Sequence, residues 1–119
     1  MLTIVPLANE QAVEWLSKAQ VSEGECLAAF EKDTCCGVCV YYMNEQTVEL
    51  LYLSGDDAGI RDGLLRATLN KALHSGKEMA RCFNQDMFGQ LLLVGFVKNN
   101  KEVTINVGEF FNKNRCQHS

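Results

Sequence analysis

Positive charge is not in excess in this sequence: fifteen Asp and Glu against eleven Lys and Arg leave a formal net charge of −4. No global field therefore exists to gather the phosphates of a nucleic acid or to hold the chain on an anionic membrane, and neither partner is expected. No run approaches the roughly 18 apolar residues that a membrane span needs. Met1 to Pro6 also lacks the basic-then-apolar arrangement of an export signal. A cytoplasmic protein is expected. No repeat, linker or low-complexity tract interrupts the chain, so residues 1–119 read as a single domain near the commonest domain size.

Histidine is scarce too, with two in the chain, and this bears on the six cysteines. Cys35-Cys36-Gly37-Val38-Cys39 contains the C-x-x-C spacing of zinc sites and redox pairs, but no second ligand pair follows it. Neither His74 nor His118 comes with a cysteine at metal-site spacing, and on a strand Cys36 and Cys39 would point to opposite faces. No metal is expected. Cys82 has no histidine near it in sequence to make it a nucleophile. Without an export signal the cysteines read as reduced thiols, most of them small core residues.

What is present is apolar character in ordered periods. A hydrophobic share of 47% with 22% charged residues can bury a core without staples. Met1 to Pro6 reads as a strand. Asn9 can cap a helix carrying Ala12, Val13, Leu16 and Ala19 at helical spacing, with Trp15 beside them. After Gly24, Glu25 to Glu31 reads as a strand with Cys26, Ala28 and Phe30 on one face and Leu27 and Ala29 on the other. Cys36 to Met43 and Thr47 to Leu53 follow as two more strands, separated by turn residues.

Ser54 to Ala58 reads as a polar loop. From about Gly59 the period changes to 3.6, with Ile60, Leu64, Ala67, Leu69, Ala72 and Leu73 on the longest helix, which Ser75-Gly76 stops. Lys77 to Cys82 gives a short strand, and Asn84 or Asp86 caps a helix with Met87, Gln90, Leu91 and Val94 on one face, ended by Gly95. Phe96-Val97 is extended, Asn99-Asn100 turns, Glu102 to Val107 is a last strand, and Glu109 to Arg115 a short terminal helix. The predicted class is α/β (α+β in some schemes), with a mixed central sheet of about six strands flanked by helices.

From Gly24 to Phe96 this order, with two local segments, resembles the GNAT superfamily of acyl-CoA-dependent N-acyltransferases. Asn84-Gln85-Asp86-Met87-Phe88-Gly89-Gln90-Leu91-Leu92-Leu93-Val94-Gly95-Phe96 is similar to the family's Asn-x-x-Ala-x-x-Leu-Tyr-x-x-x-Gly-Phe segment. Leu50-Leu51-Tyr52-Leu53, a Gly-bearing loop and a helix opening on Asp62-Gly63-Leu64-Leu65 resemble its central strand, pyrophosphate loop and first core helix.

The resemblance implies acetyl-CoA as cofactor and a small-molecule or protein amine as substrate. Backbone groups of Leu51 to Leu53 would hold the pantetheine arm as an added strand does. Asp57 to Gly63, with Gly59 and Arg61, would cradle the pyrophosphate at the helix N-terminus. Asn84 would touch the arm or cap its helix. Glu49 could act as base and Tyr52 as proton donor, against plain readings as an exposed strand carboxylate and a packed aromatic.

The sequence departs from the family in three places. Where the family's loop has Arg or Gln, two residues, Gly, one residue and Gly or Ala, this chain has Asp56-Asp57-Ala58-Gly59-Ile60-Arg61, and only the first Gly survives. Each of Asp56, Asp57 and Asp62 would cost a unit phosphate charge about 0.7 kcal/mol at roughly 6 Å in water. Arg61 either offsets this by paired hydrogen bonds, or simply faces water or pairs with an aspartate. Leu91 stands where the family often carries its proton-donating Tyr. Finally, the first helix runs almost directly into the second strand, leaving the acceptor side open, and a homodimer partner could wall it. Two functions follow: an N-acyltransferase, or a noncatalytic binding or dimerisation module that has lost acetyl-CoA binding.

Overall fold

The computed structural model describes residues 2–114. Met1, Arg115 and His118, on which parts of the expected first strand, terminal helix and tail fall, lie outside them. The chain runs β1 (Leu2–Pro6), α1 (Asn9–Lys18), β2 (Glu25–Glu31), β3 (Thr34–Met43), β4 (Thr47–Gly55), α2 (Ala58–His74) and β5 (Met79–Cys82). A 3₁₀ turn (Gln85–Met87) then leads into α3 (Phe88–Leu93), β6 (Val97–Asn99), β7 (Glu102–Asn106) and α4 (Val107–Asn114).

The strands form one sheet of seven in the order β1-β2-β3-β4-β5-β7-β6. The strand beyond the expected six is β6, where the extended Phe96-Val97 path turns at Asn99-Asn100 and pairs back on β7 through Val97↔Thr104 and Asn99↔Glu102. Every neighbouring pair is antiparallel except β4 and β5, which α2 connects in parallel. A parallel pair in a mixed sheet is where strand ends open onto a crevice.

Alternation along the strands splits the apolar residues between two cores. One, with Cys26, Ala28, Val38 and Val40, packs under Ala12, Trp15, Leu16 and Ala19 of α1 and the turn after it. The larger one collects Leu27, Ala29, Tyr41, Val48 and Leu50 from the sheet under α2, α3 and α4. Leu64, Leu65 and Leu69 of α2 are fully buried there, each stabilising the fold by about 2 kcal/mol. At Gly37 the α2 face comes so close to the sheet that a Cβ would stand 2.7 Å from the Ser54 carbonyl oxygen and 2.9 Å from Leu64 Cδ1.

Several local expectations change. Ala8, not Asn9, is the cap of α1; it makes no side-chain cap hydrogen bond, and the Gln11 side chain accepts from the Ala8 N–H at 3.4 Å. Val13 and Leu73 face solvent, 63% and 41% exposed, while Leu65 and Thr68 join the core. Cys36 and Cys39 lie in the same core. The β2–β3 register passes from Ala29↔Gly37 to Phe30↔Cys35 and skips Cys36, so one extra residue reverses the alternation there.

Candidate functional site

β4 and β5 are paired over Thr47↔Met79, Val48↔Ala80, Glu49↔Arg81 and Leu50↔Cys82, and there the pairing ends. β5 stops at Cys82 while β4 runs on to Gly55, so residues 51–55 of β4 have no strand along their β5 side. On the other side the register passes from Tyr41↔Leu50 to Val40↔Tyr52, skipping Leu51. Such a bulge bends a strand and increases its twist, which turns the end of β4 away from β5.

Asn84 spans the gap. Its Oδ1 accepts from the Asp86 N–H at 3.0 Å, capping the 3₁₀ turn, and its Nδ2 donates to the Leu51 carbonyl oxygen at 3.0 Å. Beneath it the Cys82 thiol contacts the Asn84 carbonyl at 3.7 Å and Met87 Sδ at 3.6 Å. Burial pushes the Cys82 thiol up to about 11, with the Asn84 contact opposing and the Glu49 carboxylate adding to the shift. It is therefore neutral and inert at physiological pH.

Two adjoining hollows open on the α1 face of the sheet. One, of about 400 Å³, lies between Glu49, Leu51 and Tyr52 of β4 and the Phe83-Asn84-Asp86 segment, with Lys18 to Gln20 at its rim. The other, of about 430 Å³, lies between Gln20 to Glu23, Tyr42 and the same Glu49 and Leu51. Glu49 and Leu51 thus form a ridge shared by both. Tyr52 packs its ring 6.3 Å from Trp15. Arg81, opposite Glu49 in register, places its Nε and Nη2 2.8 Å from Glu102 Oε1 and lies 5.0 Å from the Phe83 ring. Among the described residues no cation pairs with Glu49. None of them form a cluster of three or more His, Cys, Asp or Glu able to hold a metal.

The far end of β4 differs from expectation. The strand continues to Gly55 and α2 begins at Ala58, so Asp56 and Asp57 alone join them in place of a loop over Ser54 to Ala58. Gly59, Arg61 and Gly63 are helical residues. Asp57 caps the helix, its carboxylate accepting from the Ile60 N–H at 2.8 Å. Arg61 turns back onto the strand, with Nη1 donating to the Gly55 carbonyl at 2.9 Å and Nε to Gln90 Oε1 at 3.3 Å. A Cβ at Gly55 would stand 2.7 Å from Arg61 Cγ, so the corner between strand and helix is filled by this side chain. Asp62 pairs with Arg66 at 2.7 Å. Gly63 faces β1, with Ile4 Cδ1 3.6 Å from where its Cβ would be.

The structure therefore brings Glu49, Leu51, Tyr52 and Asn84 to one cleft and leaves Asp57, Arg61 and Gly63 apart from it. Leu53 lies on the α2 side of the sheet, with its backbone on the open edge. Leu91 is fully buried in the larger core. Sequence reasoning missed Gln20, Phe83 and Asp86 as cleft residues. Only Asp86 carried a signal, as a helix-capping candidate. Among the described residues no helix is long and apolar enough to cross a membrane.

No family model matches the sequence, and no curated protein matches it. Solved structures do match in fold. A GNAT family acetyltransferase from Elizabethkingia anophelis with acetyl-CoA bound superposes with a TM-score of 0.66 at 17% identity, covering 88% of this chain and 97% of that one. An acetyltransferase from Bacillus subtilis in complex with CoA gives 0.64 at 15% identity, with 89% and 99% covered. A GNAT family acetyltransferase from Brucella melitensis in complex with acetyl-CoA gives 0.65 at 14%, with 89% and 88% covered.

Proposed function

We propose that this chain, which has the GNAT acetyltransferase fold, transfers an acyl group from a coenzyme A-type thioester to an amine. The observation that carries the reading is the parting of β4 from β5 beyond Leu50 and Cys82, with the register skip at Leu51 beside a cleft of about 400 Å³.

The pantetheine half of that coenzyme fits these residues. It is an extended amide chain, and the backbone of Leu51 to Leu53, apart from the Leu51 carbonyl that Asn84 engages, offers a strand edge with no neighbouring strand for it. Asn84 holds the gap open from below by engaging the Leu51 carbonyl. The pyrophosphate half does not fit: the helix N-terminus is capped by Asp57, and the corner it would cross is occupied by Arg61. The bound thioester would supply the activated acyl carbon. Glu49 stands on the ridge between the two hollows with no cation among the described residues paired to it, and it takes the proton that an arriving ammonium must lose. Tyr52, lining the same cleft, holds a proton for the departing sulfur. Positioning supplies the rest of the rate, since a thioester and an amine held in contact react readily.

The acceptor enters from the side of Gln20 to Glu23, where only residues 19–24 separate α1 from β2. A second copy of the chain walling this side is part of the proposal, and elution as a monomer alone in size exclusion with light scattering would remove it. The reading itself is tested by thermal-shift titration with acetyl-CoA, CoA and a nucleotide control, followed by thiol release over an amine panel. A ligand at about 100 times its dissociation constant adds roughly 2.7 kcal/mol, on the order of ten degrees for a domain this size. No shift with either CoA form and no thiol release would end it.

A further inference from the structure

We infer that this chain recognises its donor through the pantetheine arm alone, so that a pantetheine thioester is bound about as tightly as the corresponding coenzyme A thioester. The inference deepens the thioester reading and rests on it. Its own ground is the unequal state of the two ends of the cleft.

At the arm end the strand edge is open and the bulge at Leu51 frees backbone from the ladder. At the phosphate end a hollow of about 340 Å³ lies between Ala58, Arg61, Asp62 and Gln90, but much of what would hold an anion there is already used. Asp56 and Asp57 alone form the junction, too few residues to wrap a pyrophosphate. Asp57 satisfies the Ile60 N–H at 2.8 Å, giving the helix dipole its negative partner from within the chain. Of the remaining carboxylates Asp62 is paired with Arg66, and Asp56 disfavours a unit phosphate charge roughly threefold at about 6 Å in water.

Arg61 is a cation beside this end, and its guanidinium is already engaged within the corner. Its guanidinium bridges the Gly55 carbonyl at 2.9 Å and Gln90 at 3.3 Å, tying the end of β4 to α3. The side chain lies against Gly55, the last residue of the open edge, with no room there even for a methyl group. An arm laid along residues 51–55 meets this side chain where the coenzyme would turn toward the helix. A diphosphate leaving the open edge must run beside this side chain, whose Nη1 and Nε each already donate within the corner.

The test is calorimetric titration of the full chain with CoA, with pantetheine and with adenosine 3′,5′-bisphosphate, at low and at physiological ionic strength. Dissociation constants for CoA and pantetheine that differ by less than about tenfold are expected, with no binding of the bisphosphate at millimolar concentration. CoA binding tighter than that margin, or displaced by the bisphosphate, overturns the inference and leaves the thioester reading standing. Binding of neither CoA nor pantetheine overturns both. In a second arm, Asp57→Gly with Arg61→Gly clears the corner and is expected to shift the CoA-to-pantetheine preference toward CoA by about tenfold. An unchanged preference in that variant also overturns the inference, and because it is a ratio within one protein it does not depend on the variant's stability.

Discussion

Asn84 Nδ2 donates to the Leu51 carbonyl at 3.0 Å, so a side chain from the end of β5 takes the place of the strand that would otherwise pair there. The same residue caps the following turn through Oδ1. Asn84→Ala should lower unfolding free energy by about 1 to 2 kcal/mol in urea denaturation, from one lost cap and one stranded carbonyl. Asn84→Asp keeps the cap but cannot donate to Leu51. It should recover part of the stability without recovering thioester affinity, which separates the two roles.

Glu49→Gln removes the ridge carboxylate at almost constant volume. Acyl transfer should fall by about 10² to 10³ in kcat/KM. Melting temperature should change by less than two degrees, roughly, because the side chain is half-buried and pairs with no cation among the described residues. Unchanged kcat/KM would assign the base elsewhere.

Two buried thiols make stability depend on pH in the alkaline range. Burial pushes Cys39 up to about 12 and Cys82 up to about 11 from an ordinary value of 9.0. A group whose folded value is raised contributes fully below the unfolded value and loses that contribution as pH rises toward the folded one. Unfolding free energy should therefore hold up to about pH 9 and then fall toward pH 11 to 12, at a limiting slope of about 1.4 kcal/mol per pH unit for each thiol. Stability measured by urea titration across this range checks it, with Cys39→Ser and Cys82→Ala each flattening the fall. At neutral pH the exposed Cys35 should alkylate well before Cys26, Cys36, Cys39 or Cys82, which are buried.

Gly37→Ala should cost about 1 to 3 kcal/mol, because the added methyl meets a backbone oxygen of β4 as well as Ile60 and Leu64 of α2, and the oxygen cannot yield. Chemical denaturation reads this directly. The damage should extend to donor binding, since α2 would be pushed off the end of β4.

Trp15 is the one tryptophan, and its ring lies 6.3 Å from that of Tyr52 with Lys18 Nζ 4.5 Å away. Occupation of the cleft should change its emission, and Trp15→Phe should be silent in the same titration.

The element order was legible in the sequence because alternation and helical period are strong where one face is buried, as in Glu25 to Glu31. The details that shape the site were not. Leu50-Leu51-Tyr52-Leu53 is apolar throughout, so no change of pattern marks Leu51 as the skipped residue. Ser54 and Gly55 are loop-favouring residue types yet stay in β4, held by pairing with Val38 and Gly37. Cys36 and Cys39 share a face because of a bulge that the alternation rule could not foresee. Arg61 was visible as a cation near a helix start, but its acceptors, Gly55 and Gln90, depend on how close α3 comes to the end of β4, which is a tertiary matter.

The two-residue junction of Asp56 and Asp57 also has a kinetic side. A strand that passes into a helix with so little chain between them leaves no segment there able to fold over a guest and reopen to release it. Entry and exit at that end are then governed by diffusion and desolvation rather than by gating. Turnover should be as insensitive to solvent viscosity as the chemistry allows until product departure itself becomes limited by diffusion.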